Sequence, residues 1–186
     1  MLRTDAVRQP LHSSASFIAL NALGGIAVLG SYFYGVMLYT GDAGAAWGGV
    51  PDALRPLYIV SMFTAAAGYF PMTAYVLFGL SRQVRLAGGL GWGAFLALYA
   101  LILVPSALWM PLTFAHLEAP SPGLWLLIRL VLFAVGFASL GVLTAFLTAD
   151  PPGAPKLRRW AIVGAVAFCF QTAVLDALVW PVYFPA

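Results

Sequence analysis

Two charged side chains stand deep inside long apolar runs, Arg129 and Asp176. An ion near the centre of a bilayer costs about 2.5–3.5 kcal/mol on insertion scales, and less at shallow depth. Each charge therefore implies a partner, a ligand or a route to water. Arg129 follows the start of its run at Gly123 by about six residues, and Asp176 precedes the end of its run at Phe184 by about eight. At a rise of about 1.5 Å per residue, both fall in the same outer third of the membrane. Facing each other, they would neutralise one another across two helices, or hold the polar end of a ligand between a cation and an anion. The plainer readings are that Arg129 snorkels to the headgroups and that Asp176, too short to do so, is protonated or bonded to backbone. Asp176 as a general acid or base would need a second titratable group nearby, and a guanidinium is a poor proton donor.

Aromatic and hydroxyl side chains gather near these charges. In Pro105–Phe114, Trp109 stands between two prolines six apart, with Ser106 beside the first; Asp176–Phe184 repeats the theme with Trp180-Pro181. Proline inside a membrane helix frees backbone carbonyls that then need partners. Helical spacing puts Cys169, Thr172, Asp176, Trp180 and Tyr183 on one face, and Asn21, Gly25, Val28, Tyr32 and Gly35 on another. Ser61, Thr64, Gly68 and Met72 share a third face, and Tyr99, Ile102, Ser106 and Trp109 a fourth. The expected ligand-contacting set is Tyr32, Ser61, Ser106, Trp109, Arg129, Thr172, Asp176 and Trp180. The competing reading of such stripes is helix packing, with glycines allowing close approach. No catalytic set and no metal site is expected. His12 and His116 flank different runs at opposite ends, Cys169 is the single cysteine, and no H-E-x-x-H, Walker or G-x-S-x-G motif occurs.

The elements that must position these residues follow from composition. Hydrophobic residues make up 62% of the chain and charged ones 8%, with a mean hydropathy of +0.94. Soluble domains carry about 25% charged residues, so an integral membrane protein is expected: all-α, one domain over residues 1–186. Five runs reach the ~20 residues that a bilayer core demands, at about 15–39, 57–80, 90–114, 123–148 and 160–184. The first is too long for a signal-peptide core of about 7–15 residues and reads as a retained helix. Seven Lys and Arg residues flank one side (Arg3, Arg8, Arg82, Arg85, Lys156, Arg158, Arg159) and Arg55 alone the other. The positive-inside rule then places the N-terminus in the cytoplasm and the C-terminus outside. Eight arginines against one lysine suggest a bacterial inner membrane. No basic, aromatic-interleaved surface suggests a nucleic acid.

Two motifs carry a family resemblance. Ser106-Ala107-Leu108-Trp109-Met110-Pro111-Leu112-Thr113-Phe114 resembles the third-helix pattern Asn-Ala-Leu-Trp-x-Pro-Leu-Phe-Phe of the TspO/MBR family, the tryptophan-rich sensory or translocator proteins. Ala74-Tyr75-Val76-Leu77-Phe78-Gly79 is similar to that family's second-helix pattern Leu-Tyr-x-Leu-Met-Gly. The resemblance covers roughly a quarter of the chain. Ser106 replaces the asparagine, the Trp-x-Pro-Pro loop motif is absent although Trp47 and Pro51 stand nearby, and the fifth-helix pattern is missing. The resemblance implies a five-helix protein that binds or moves a porphyrin- or sterol-like ligand. Ring faces would then stack on Trp109 and Trp180 in an outer-half cavity closed by residues 40–56, with a ligand carboxylate at Arg129. Two other classes compete: a non-catalytic subunit of a homodimer or larger membrane complex, and a membrane enzyme acting on a lipid or sterol through Asp176.

Overall fold

The structure, a computed structural model, describes residues 11–38 and 43–184. Five helical runs account for nearly all of it. α1 covers Leu11–Phe33 and continues as a π turn over Tyr34–Leu38; α2 covers Arg55–Ala74 with a π turn over Tyr75–Gly79. α3 covers Ala94–Glu118 and α4 Pro122–Thr148. α5 covers Pro155–Cys169, widens to a π helix over Phe170–Val179 and closes with an α turn at Trp180–Tyr183. All five runs are long and apolar enough to cross a membrane. Among the described residues there is no strand, only one isolated antiparallel bridge between Arg85 and Asp150. The protein is an all-α integral membrane bundle of five helices.

Local sequence explains where the helices begin and end. Pro122 and Pro155 open α4 and α5 in the first turn, where a missing N–H costs nothing. Ser121 caps α4 by accepting from the Leu124 N–H at 3.1 Å. The 90–114 run is displaced at both ends. Leu90–Gly93 belongs to the connector, where the Leu86 N–H donates to the Leu90 carbonyl. The helix also runs through Pro105 and Pro111 to Glu118.

The helices form a ring in the order α1, α3, α4, α5, α2. The ring closes where the Tyr69 hydroxyl of α2 donates to Asn21 Oδ1 of α1 at 2.6 Å. Between α2 and α5 the backbones touch at Gly68 and Gly164. A Cβ on Gly164 would stand 2.4 Å from the Gly68 carbonyl oxygen, so this crossing requires glycine.

The two ends of the bundle are built differently. At the basic end, connectors 80–93 and 149–154 are clasped by backbone hydrogen bonds. Arg85 and Asp150 exchange N–H···O bonds of 2.8 and 2.9 Å, and the Ala154 N–H reaches the Gly79 carbonyl at 3.1 Å. The Tyr75 hydroxyl donates to the Pro152 carbonyl, and Arg158 donates to the carbonyls of Phe146 and Leu147 at 3.0 and 2.9 Å, satisfying the end of α4. Arg82 donates to Ser14 and lies 3.5 Å from the centre of the Trp92 ring; burial draws its pKa down from the ordinary value. The opposite, aromatic end is held mainly by rings.

Candidate ligand site at the aromatic end

The two Trp–Pro stretches meet. Trp109 on α3 and Trp180 at the end of α5 stand edge to face, with ring centroids 5.8 Å apart. Tyr32 of α1 flanks Trp109 at 6.0 Å. On the far side Phe184 stacks on Trp180 at 4.3 Å and on Trp125 at 5.7 Å, while His116 stacks on Trp125 at 5.9 Å. Offset and edge contacts of this kind are the favoured geometries of aromatic pairs. The connector after α1 is strapped across the top. Trp180 Nε1–H donates to the Ala46 carbonyl at 3.0 Å, and the Gly49 N–H to the Tyr183 carbonyl at 2.7 Å. Trp47 meets Tyr58 edge-on at 6.0 Å, and Val50 is buried. Of the expected 40–56 cover, residues 46–50 lie over the end of α5, residues 55–56 belong to α2, and residues 40–42 lie outside the described residues.

Beneath the rings lies a polar pair. Gln171 Nε2–H donates to Asp176 Oδ1 at 2.7 Å. These residues are five apart, so on an α-helix they would point about 140° from each other; on the π helix, with its i to i+5 hydrogen bonds, they share a face. Gln171 is 5% exposed and its Oε1 has no partner. Tyr58 donates from its hydroxyl to the Leu175 carbonyl at 3.1 Å, which ties α2 to the widened helix. Tyr32 and Tyr58 both lie within electrostatic reach of Asp176. Trp109 is half-buried, and its indole N–H is a buried donor without an acceptor.

The expected pairing of Arg129 with Asp176 does not form. Among the described residues the ion pair is Arg55 with Asp52, at 3.0 Å near the rim. Arg129 is exposed on the outer face of α4, its guanidinium 5.8 Å from the Phe133 ring, and Asp176 is held by Gln171 instead. The physical reason is the π helix, which directs the carboxylate to a side chain on its own helix.

The other expected contacts divide. Tyr32, Trp109, Asp176 and Trp180 come together. Thr172 does not join them: its hydroxyl lies 2.8 Å from the Phe168 carbonyl and 2.9 Å from Ser139 Oγ, a buried α4–α5 packing contact. Ser61 lies apart, with Leu57, Val60, Thr64, Ala167 and Phe170 around a shallow hollow of about 220 Å³ between α2 and α5. Ser106 is half-buried on α3, a turn from Trp109. The expected cavity between Trp109 and Trp180 is filled by the rings themselves. A hollow of about 230 Å³ opens beside them, lined by His116, Pro120, Ser121, Pro122 and Trp125. There His116 Nδ1 accepts the Ser121 N–H at 3.3 Å. Gln171, Tyr58, Trp125 and Phe184 are site residues that the helical spacing did not single out. The signal available for Gln171 was its amide inside an apolar run.

No protein family, curated protein or solved structure matches the chain.

Proposed function

We propose that the aromatic end binds, and in a transport cycle releases, a flat amphipathic molecule between Tyr32, Trp109 and Trp180. The observation that carries this reading is Trp109. A half-buried indole with an unused N–H contributes less to packing than its size allows, which suits a ring that turns aside for a guest. The polar Gln171–Asp176 pair below would take the ligand's polar end, and the strap over Trp180 would cover it. The resemblance of the Trp109 and Tyr75 motifs to the TspO/MBR proteins supports the same reading and makes porphyrins and sterols the first ligands to try. A titration with an uncharged porphyrin ester should quench tryptophan fluorescence saturably in the wild type and much less in Trp109→Leu; equal quenching in both removes Trp109 from the site and the reading with it.

The charge asymmetry supports an orientation with the basic end in the cytoplasm. In a Cys169→Ser background, an impermeant thiol reagent applied to intact cells should label Ala53→Cys and spare Gln83→Cys. The reverse pattern inverts the orientation.

A second reading, a subunit of a larger assembly, is favoured by α1. Gly25 and Gly30 have open space where a Cβ would go, and Leu23, Ile26 and Leu29 are largely exposed beside them. Small residues on a lipid-facing helix suit close approach by another helix. Gly25→Leu should convert an oligomer to a monomer in mild detergent; a wild type that is already monomeric there removes this reading.

A further inference from the structure

The hydrogen-bonding capacity left over at the aromatic end fixes a property of the ligand that the rings alone do not, namely its charge. Asp176 receives one hydrogen bond among the described residues, from Gln171. The other half of that amide, Gln171 Oε1, is a buried acceptor with nothing to accept. Asp176 lies one helical turn before Trp180 and within electrostatic reach of Tyr32, which touches Trp109. The cations are elsewhere. Arg129 faces outward over Phe133, and Arg55 is engaged with Asp52 at the rim. Among the described residues, the buried donor left unused in the ring cluster, Trp109 Nε1, is neutral. An anionic group placed here would meet a carboxylate and a carbonyl oxygen with no cation to offset them. A cationic N–H group would meet two acceptors below and electron-rich ring faces around it, both favourable.

We therefore propose that the site takes a lipophilic amine in its protonated form. Asp176 and Gln171 Oε1 accept its N–H hydrogens, and the Tyr32, Trp109 and Trp180 rings enclose its hydrophobic body. This rests on the aromatic-end binding reading above and sets the ligand's charge opposite to the carboxylate-at-Arg129 arrangement.

The test uses one flat frame with three charges. Full-length protein in maltoside micelles at pH 7 is titrated with 1-pyrenemethylamine, 1-pyrenemethanol and 1-pyrenecarboxylate, following quenching of tryptophan fluorescence. The amine should bind at least about tenfold more tightly than the alcohol, as a charge-assisted hydrogen bond would give, and the carboxylate most weakly. Asp176→Asn should remove the amine's advantage over the alcohol. Gln171→Leu should weaken the amine several-fold, and replacing the amine by its trimethylammonium analogue, which keeps the charge and loses the N–H groups, should do the same in the wild type. If the alcohol or the carboxylate binds wild type as tightly as the amine, the charge assignment is overturned and the aromatic site stands. If none of the three quenches saturably, both fall. Should Asp176→Asn not fold, the wild-type series and Gln171→Leu still decide the question.

Discussion

The two ends of the bundle hold their connectors by different forces. At the basic end the contacts are directional. Backbone carbonyls of Gly79, Phe146, Leu147, Asp150 and Pro152 each receive a specific donor. At the aromatic end stacked and edge-on rings do most of the holding, and Trp180 and Gly49 add hydrogen bonds to the strap. Hydrogen bonds between backbone groups weaken steeply as distance and angle depart from their optimum. Ring contacts allow several arrangements of similar energy. If the aromatic end admits a ligand, as proposed, this division would let it open while the basic end keeps its shape.

The comparison can be broken most directly at Gly153. Its φ is +66°, and a Cβ would stand 1.9 Å from the Gly79 carbonyl oxygen. Gly153→Ala should cost about 3 kcal/mol or more, combining left-handed strain with a backbone clash, measured by unfolding in mixed micelles. Next comes Trp180→Phe, which keeps a ring for Phe184 and Trp109 but leaves the Ala46 carbonyl without its donor; about 1–2 kcal/mol is expected. A Trp180→Phe loss equal to that of Gly153→Ala would mean the aromatic end is as geometrically exacting as the basic one. Trp109→Phe should be milder still, below about 1 kcal/mol, because the indole N–H it removes has no acceptor. The smallest effect is expected at Arg129. Arg129→Gln should leave the midpoint essentially unchanged, and combined with Asp176→Asn the two effects should add within about 0.5 kcal/mol. A larger coupling would show that the two charges do meet.

What the sequence made legible was whatever depends on hydropathy and on α-helical period. The five spans, the presence of Trp109 and Trp180 at one end and the cover formed after α1 follow from run length, motif and alternation of the chain through the membrane. Contacts that depend on departures from that period were not legible. Gln171 and Asp176 look mismatched at 3.6 residues per turn, whereas depth and charge alone point the carboxylate to Arg129. Thr172 fell on the expected face of α5 yet turned to Ser139, since buried hydroxyls take the nearest acceptor. The pattern around Trp109 carries no information on which rings pack against it. Nor could the prolines announce that α3 would run unbroken through Pro105 and Pro111 to Glu118, because neighbouring helices decide whether freed carbonyls are tolerated.

The widened stretch of α5 also bears on how the chain can change length over generations. Between Gln171 and Asp176 the π winding accommodates five residue steps on one face, where an α-helix accommodates four. Losing one exposed residue in this interval, such as Val174, would leave the amide and the carboxylate at the spacing that an ordinary helix already brings together. A one-codon deletion, usually ruinous inside a membrane helix because it swings everything beyond it by about 100°, would here be absorbed by rewinding. Homologous chains one residue shorter in α5 would then keep a Gln-x-x-x-Asp in place of Gln-x-x-x-x-Asp, followed by Trp-Pro at an unchanged distance.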